Sequence, residues 1–225
     1  MPEIHPRRIE SLRDLICFPV AYNAVGLALL AALYTATPGQ APETETSNIV
    51  LYTGVLMTHW SLAYVVARRI GKEGVIELIR PKKRTNWPAA ALVFAALNAL
   101  FTSYIYLGVR AGRIPLMAST GIIQTIFYLV LIPLTAGVVE EILWRGYFIE
   151  RLLASGRTEP KAILLSSVSF AFIHGFFLMD KILITALFGV IAGLYYVRER
   201  NLLVIMATHV VVDVIAFSLP FYLRA

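Results

Sequence analysis

Charge is scarce in this chain. Asp, Glu, Lys and Arg make up 15% of 225 residues, against 58% hydrophobic residues. A soluble domain carries roughly 25% charge, so the chain lacks the polar surface that would coat a core in water. A soluble globular protein is thereby excluded. Cysteine is nearly absent too. The single Cys17 cannot close an intramolecular disulfide and says nothing about compartment; it reads as a small apolar residue inside a span. No second domain, low-complexity tract or repeat is visible. What the chain has instead is long uncharged apolar runs. They imply an all-α, polytopic transmembrane helix bundle of about seven spans, a single integral-membrane domain over residues 1–225.

The spans are expected at residues 15–36, 49–66, 87–107, 118–139, 162–178, 182–197 and 202–222. The first follows Arg7, Arg8 and Arg13 and exceeds the roughly 7 to 15 residues of a signal-peptide core, so it reads as an uncleaved span. It ends at Pro38-Gly39, followed by an acidic loop to Asn48. Trp87 at one interface and Tyr104 and Tyr106 near the other suit aromatic belts around the third span. The fourth is expected to continue as helix to Leu153, with a kink or loosening at Pro133 and Gly137. Asp180-Lys181 and residues 198–201 read as tight turns.

The net charge of +6 is best read as topology rather than as a nucleic-acid footprint. The most basic stretch, Arg68 to Arg84, reads as a loop held on the cytoplasmic side, with a short interfacial helix at 75–79. With the N-terminus inside, the inside segments hold sixteen of the twenty Lys and Arg residues. The expected orientation is therefore N-terminus cytoplasmic and C-terminus outside.

The stretch from Ile132 to Glu150, IPLTAGVVEEILWRGYFIE, organises the rest. It starts as the apolar body of a span and then places Glu140 and Glu141 side by side. On a helix, Arg145 shares a face with Glu141 and can pair with it, while Glu140 points about 100° away. An ionisable residue at the centre of a span costs roughly 2.5 to 3.5 kcal/mol on insertion scales, so it marks a functional site by default. Glu140, with no counter-ion on its own helix, suits a base better than Glu141 does.

The later spans hold His174 in SFAFIHGFF, and His209 and Asp213 in ATHVVVD. His209 and Asp213 lie four apart and share a helical face. Any one of these residues alone could be an interhelical hydrogen bond. As a set, acids and imidazoles on three helices suit general-base chemistry and also metal ligation. There is no H-E-x-x-H and no cysteine pair. His59, in the second span, reads as a satisfied polar residue within the bundle. With straight helices starting at one level, His209 lies about 10 Å from its cytoplasmic end and His174 about 20 Å, a mismatch in depth.

Glu-Glu-x-x-x-Arg at 140–145, Phe-x-x-x-His at 170–174 and His-x-x-x-Asp at 209–213 follow in order on successive spans. Together they resemble the CAAX-protease and bacteriocin-processing family of intramembrane endopeptidases, which includes the Ras-converting proteases. The resemblance covers a motif-bearing core of about residues 118–222. It implies an integral-membrane enzyme of a bacterial or archaeal cell that cleaves a membrane-anchored peptide or protein tail. In the roles it implies, Glu140 and His174 activate water, His209 and Asp213 stabilise the oxyanion, and Glu141 and Arg145 form a structural ion pair. Prenyl-protein members carry Asn at the last position, where this chain has Asp213. That residue could orient His209, be protonated or join a metal site. No cofactor is favoured. The alternative is a zinc-dependent protease with Glu140, His174, His209 and Asp213 as ligands, for which Ser166, Ser167, Ser169 and Thr208 are the few second partners available. The rival from another class is a non-enzymatic membrane immunity or scaffold protein. A transporter would show repeated halves, which are not visible.

Overall fold

The computed structural model describes residues 8–36, 45–115, 121–174 and 179–223. These form seven helices: α1 (Arg8–Ala36), α2 (Glu45–Ile79), α3 (Trp87–Arg110), α4 (Ile122–Ala154), α5 (Glu159–Phe172), α6 (Met179–Glu199) and α7 (Leu202–Tyr222). Residues 37–44, most of the acidic loop, lie outside the described residues, as do Ala118, the end of the expected fifth span at 175–178, and Arg224. No strand occurs among the described residues.

Local chemistry sets the boundaries. Asn86 caps α3 by accepting from the Ala89 N–H, with Pro88 in the first turn, where its missing N–H costs nothing. Gly156, at φ 82°, ends α4, and Arg157 N–H returns to the Leu152 carbonyl. α2 runs through the stretch expected as a basic loop. Its break is confined to Gly71, at φ 74°, a conformation glycine adopts freely. The helix resumes beyond it to Ile79, which accounts for the expected short helix at 75–79. Asp180-Lys181 is not a turn but the first turn of α6.

α4 loosens on both sides of Pro133, as the sequence suggests: two stretches, Phe127–Leu131 and Ala136–Ile149, widen into π-helix. Proline has no N–H and its ring crowds the carbonyl four residues back. The turn before it opens, and Ile132 N–H bonds back five residues to Phe127. Such widened turns are frequent at functional sites.

Among the described residues, six helices are long and apolar enough to cross a membrane. α5 is not: its 14 residues rise about 21 Å, against the roughly 20 residues a span needs. The seven expected spans thus correspond to seven helices, of which the one at the fifth span, expected at 162–178, is helical to Phe172. Polar contacts mark the two ends of the bundle. At one end, Arg200 pairs with Glu150, Lys83 Nζ donates to the Arg198 carbonyl (2.6 Å), and Asn201 donates to Thr85 (3.0 Å). At the other, Arg113 lies 3.5 Å from Asp180, to which Tyr104 also donates. The first end also gathers the buried Asp14, paired with Arg69. The basic segments assigned to one side by charge therefore do share one end of the bundle.

α4 is the central element. Ile142 to Ile149 are all buried, and α4 packs against α2, α5 and α7. Large apolar side chains face outward elsewhere, among them Ile16, Met57, Leu92 and Leu183, each more than half exposed. Exposed apolar surface of this extent suits hydrocarbon rather than water. Cys17 sits on that outer face of α1 rather than in the interior.

Candidate active site

The widened turn of α4 holds both glutamates inside the bundle, Glu140 at 4% exposure and Glu141 at 0%. Alpha-helical spacing separates their directions; the structure brings both to a single imidazole. His209 Nδ1 is 2.7 Å from Glu141 Oε1, and His209 Nε2 is 3.8 Å from Glu140 Oε2. Arg145 Nη1 donates to the same Glu141 Oε1 at 2.9 Å. Glu141 and Arg145 do form the expected ion pair, and Glu141 has a second partner in His209. Because Arg145 holds Glu141 as a carboxylate, which only accepts, the His209 proton facing it must be on Nδ1.

Aromatic rings close the site around these charges. The Arg145 guanidinium lies 4.2 Å from the centroid of Phe170 and 5.3 Å from that of Phe188. Phe188 also lies 4.7 Å from the His209 ring. Phe170 stands between the two late histidines, 5.0 Å from His174 and 6.1 Å from His209. Both late histidines thus lie against the one Phe170 ring.

His174 follows the end of α5. Its Nδ1 lies 3.2 Å from the Phe170 carbonyl, to which it donates, so Nε2 is left as an acceptor in the neutral ring. It lines a cavity of about 210 Å³ between α1, α2 and the end of α5, together with Tyr22, Asn23, Val55 and Thr58. No direct hydrogen bond or ion pair joins His174 to Glu140 among the described residues. Asp213, on the face of α7 shared with His209, has Oδ1 3.8 Å from His209 Nε2, beyond direct hydrogen bonding.

One partner of Glu140 was not expected. His59, on α2, has Nε2 2.7 Å from Glu140 Oε1 and is 3% exposed. Tyr22 of α1 adds its hydroxyl to the same imidazole, 3.1 Å from Nδ1. The signal was present in the sequence, a lone histidine in an apolar span, but its neighbour is 81 residues away along the chain. Glu140 Oε2 is left buried, with no hydrogen-bond partner among the described residues.

Close backbone approach brings α7 to α4. A Cβ on Gly137 would lie 2.5 Å from Val210 Cγ2, 2.9 Å from Val210 N and 3.1 Å from the Met206 carbonyl. Glycine three residues before Glu140 thus lets the helix that carries His209 settle against the carboxylates. The candidate second partners lie elsewhere: Ser166 donates to the Trp144 carbonyl, Ser167 to Ile163, Ser169 to Leu15 and Thr208 to Val204. Ser166 and Ser169 tie helices together, Ser167 and Thr208 bond within their own helices, and none of these four bonds reaches a histidine. Among the described residues, no three His, Cys, Asp or Glu side chains are arranged to hold one metal ion.

Residues 122–215 match the family model of type II CAAX prenyl endopeptidase Rce1-like proteins. Over this region the chain is similar to the CAAX-protease family. No curated protein and no solved structure matches the chain. The CAAX-protease region spans α4 to α7 and carries Glu140, Glu141, Arg145, His174, His209 and Asp213. It omits α1 to α3, and with them Tyr22 and His59.

Proposed function

We propose that the protein is a glutamate-type intramembrane endopeptidase that hydrolyses a peptide bond in a membrane-anchored peptide or protein tail. The similarity of residues 122–215 to type II CAAX prenyl endopeptidase Rce1-like proteins supports the reaction class. One observation carries the mechanism: Glu140 is held through Oε1 by His59, while its other oxygen, Oε2, is buried 3.8 Å from His209 Nε2 and has no hydrogen-bond partner among the described residues. A buried lone pair of this kind is where a base can take a proton.

In the proposed step, the water oxygen bonds to the scissile carbonyl carbon as its proton passes to Glu140 Oε2. His174, on the cavity wall, accepts a second hydrogen bond from that water at Nε2. A doubly protonated His209, with Nδ1–H on Glu141, presents Nε2–H to the oxyanion, and Asp213 flanks it as a counter-charge. The C–N bond then breaks, and the departing amine takes the proton from Glu140. Arg145 neutralises Glu141 and so leaves the imidazolium to act on the substrate.

The donor arrangement supports a metal-free reading over zinc, for which three protein ligands would have to surround one point. The orientation we favour is N-terminus cytoplasmic and C-terminus outside. The test is substrate trapping in cells: Glu140→Gln should accumulate an uncleaved membrane-anchored peptide or tail that wild type does not, read by mass spectrometry. If identical products form in both strains, Glu140 is not the base.

A further inference from the structure

We propose that Tyr22 and His59 form a positioning relay for Glu140, in which a His59 Nε2–H donor holds Oε1 and leaves Oε2 to the attacking water. The inference rests on Glu140 being the base. Neither residue lies in the segment that matches the CAAX-protease family. Yet His59 makes the shortest contact to Glu140, at 2.7 Å.

Hydrogen-bond accounting gives the tautomer. An ionised Oε1 can only accept, so a 2.7 Å contact to His59 Nε2 needs the proton on that nitrogen. In a neutral ring, Nδ1 then bears a lone pair, and the Tyr22 hydroxyl at 3.1 Å is the donor that satisfies it. If the ring takes a second proton, Nδ1–H can donate to the Val55 carbonyl at 2.9 Å. In the neutral form the Nδ1 lone pair would face the Val55 carbonyl oxygen, which also only accepts, at 2.9 Å, so the surroundings favour the doubly protonated ring with Nε2–H on Glu140. One arrangement breaks the relay: a neutral ring with its only proton on Nδ1. Nε2 would then accept, Glu140 would have to be protonated to donate, and the base would be disarmed.

Tyr22 holds the ring in place whether or not Nδ1 carries a proton, because a hydroxyl can donate or accept. Its oxygen is nearer Nδ1 than Nε2, 3.1 Å against 3.4 Å, and its ring meets the imidazole edge-on at 4.9 Å. The logic is that of a base oriented by a third group. A glutamate side chain has several rotatable bonds, and a donor fixed on a neighbouring helix restricts it to the rotamer that presents Oε2.

The experiment uses the full chain in detergent micelles with 15N-labelled histidine rings. The His59 signals are assigned by their loss in His59→Gln. We expect Nε2 to be protonated, and Tyr22→Phe to shift the Nδ1 resonance. This signature is read whatever peptide the enzyme cleaves. An internally quenched, farnesylated CAAX peptide supplies the kinetic arm. His59→Ala should lower kcat by about 100-fold with KM little changed, because a misplaced catalytic group costs on that order. His59→Gln, which keeps an N–H near the Nε2 position, should restore most of that loss. The relay is overturned if wild-type Nε2 is unprotonated, if His59→Ala keeps full kcat, or if the Ala and Gln variants lose activity equally and in step with thermal stability. Glu140→Gln is run beside them. If it stays active, the base assignment falls; if it is dead while His59→Ala is fully active, only the relay falls.

Discussion

Gly137→Ala sets two effects of opposite sign against each other. In a helix interior, Ala is favoured over Gly by about 0.8 to 1 kcal/mol, so propensity alone makes the variant more stable. The new Cβ, however, would meet Val210 Cγ2 at 2.5 Å, where carbons ordinarily rest about 3.5 to 4.0 Å apart. The Val210 methyl can rotate away. Val210 N at 2.9 Å and the Met206 carbonyl at 3.1 Å cannot, because they are the backbone of α7. Overpacking of this kind costs about 1 to 3 kcal/mol, so the net effect is neutral to about 2 kcal/mol destabilising. The larger consequence is for the site. Relief requires α7 to retreat by several tenths of an ångström, and His209 is the residue before Val210. Its 2.7 Å bond to Glu141 would stretch to the limit of hydrogen bonding, about 3.2 Å, or past it. Misplacement of catalytic groups by about 1 Å can cost 100-fold in rate. We expect denaturant unfolding in mixed micelles to shift modestly while cleavage of the farnesylated peptide falls by one to two orders of magnitude, as such misplacement predicts. Gly26→Ala is the stability control, because nothing lies within 4 Å of its added Cβ. A Gly137→Ala protein with wild-type stability and wild-type rate would refute the reasoning.

Arg145→Met and Glu141→Gln should each lower the yield of folded protein, since breaking a buried pair costs about 3 to 5 kcal/mol; thermal unfolding near the wild-type midpoint would show that the pair contributes little. Glu140→Gln should unfold like wild type while cleaving nothing, and a folded but dead Glu141→Gln beside an active Glu140→Gln would reverse the two roles. Prolonged chelation should leave activity intact, with well under one equivalent of zinc by elemental analysis; loss restored by zinc alone would replace the metal-free mechanism. Reporter fusions at residues 68–84 and 155–161 should be cytoplasmic and one in the acidic loop external, and a cytoplasmic signal from that loop would overturn the charge-based orientation.

Much of the site was legible because its chemistry sits in local patterns. Glu141 and Arg145 pair at i, i+4 as the spacing requires, and a segment matching a CAAX-protease family spans all three motifs. The end of α5 was not legible. Apolar sequence continues past Phe172, and hydropathy reports the composition of a segment but not whether its backbone stays helical. The π-helical turn was only half legible: Pro133 announced a disturbance, but a kink and a widened turn both answer a missing N–H.

The sequence alone determined that the chain is a helical membrane bundle and which end of it is basic. It also pointed to Glu140, Glu141 and Arg145 of α4 and His209 of α7 as facing inward. Those results depend on composition, periodicity and the cost of leaving charge or backbone unsatisfied in hydrocarbon, all properties of a segment by itself. The tertiary structure decided which acid meets which imidazole. It gave His209 to Glu141 and placed it near Glu140, set Phe170 between His174 and His209, and brought His59 across from α2. Those pairings depend on how closely two helices approach, as at Gly137, and on the rotation of a widened turn. Contacts between residues 68 or 81 apart leave no periodic trace along the chain.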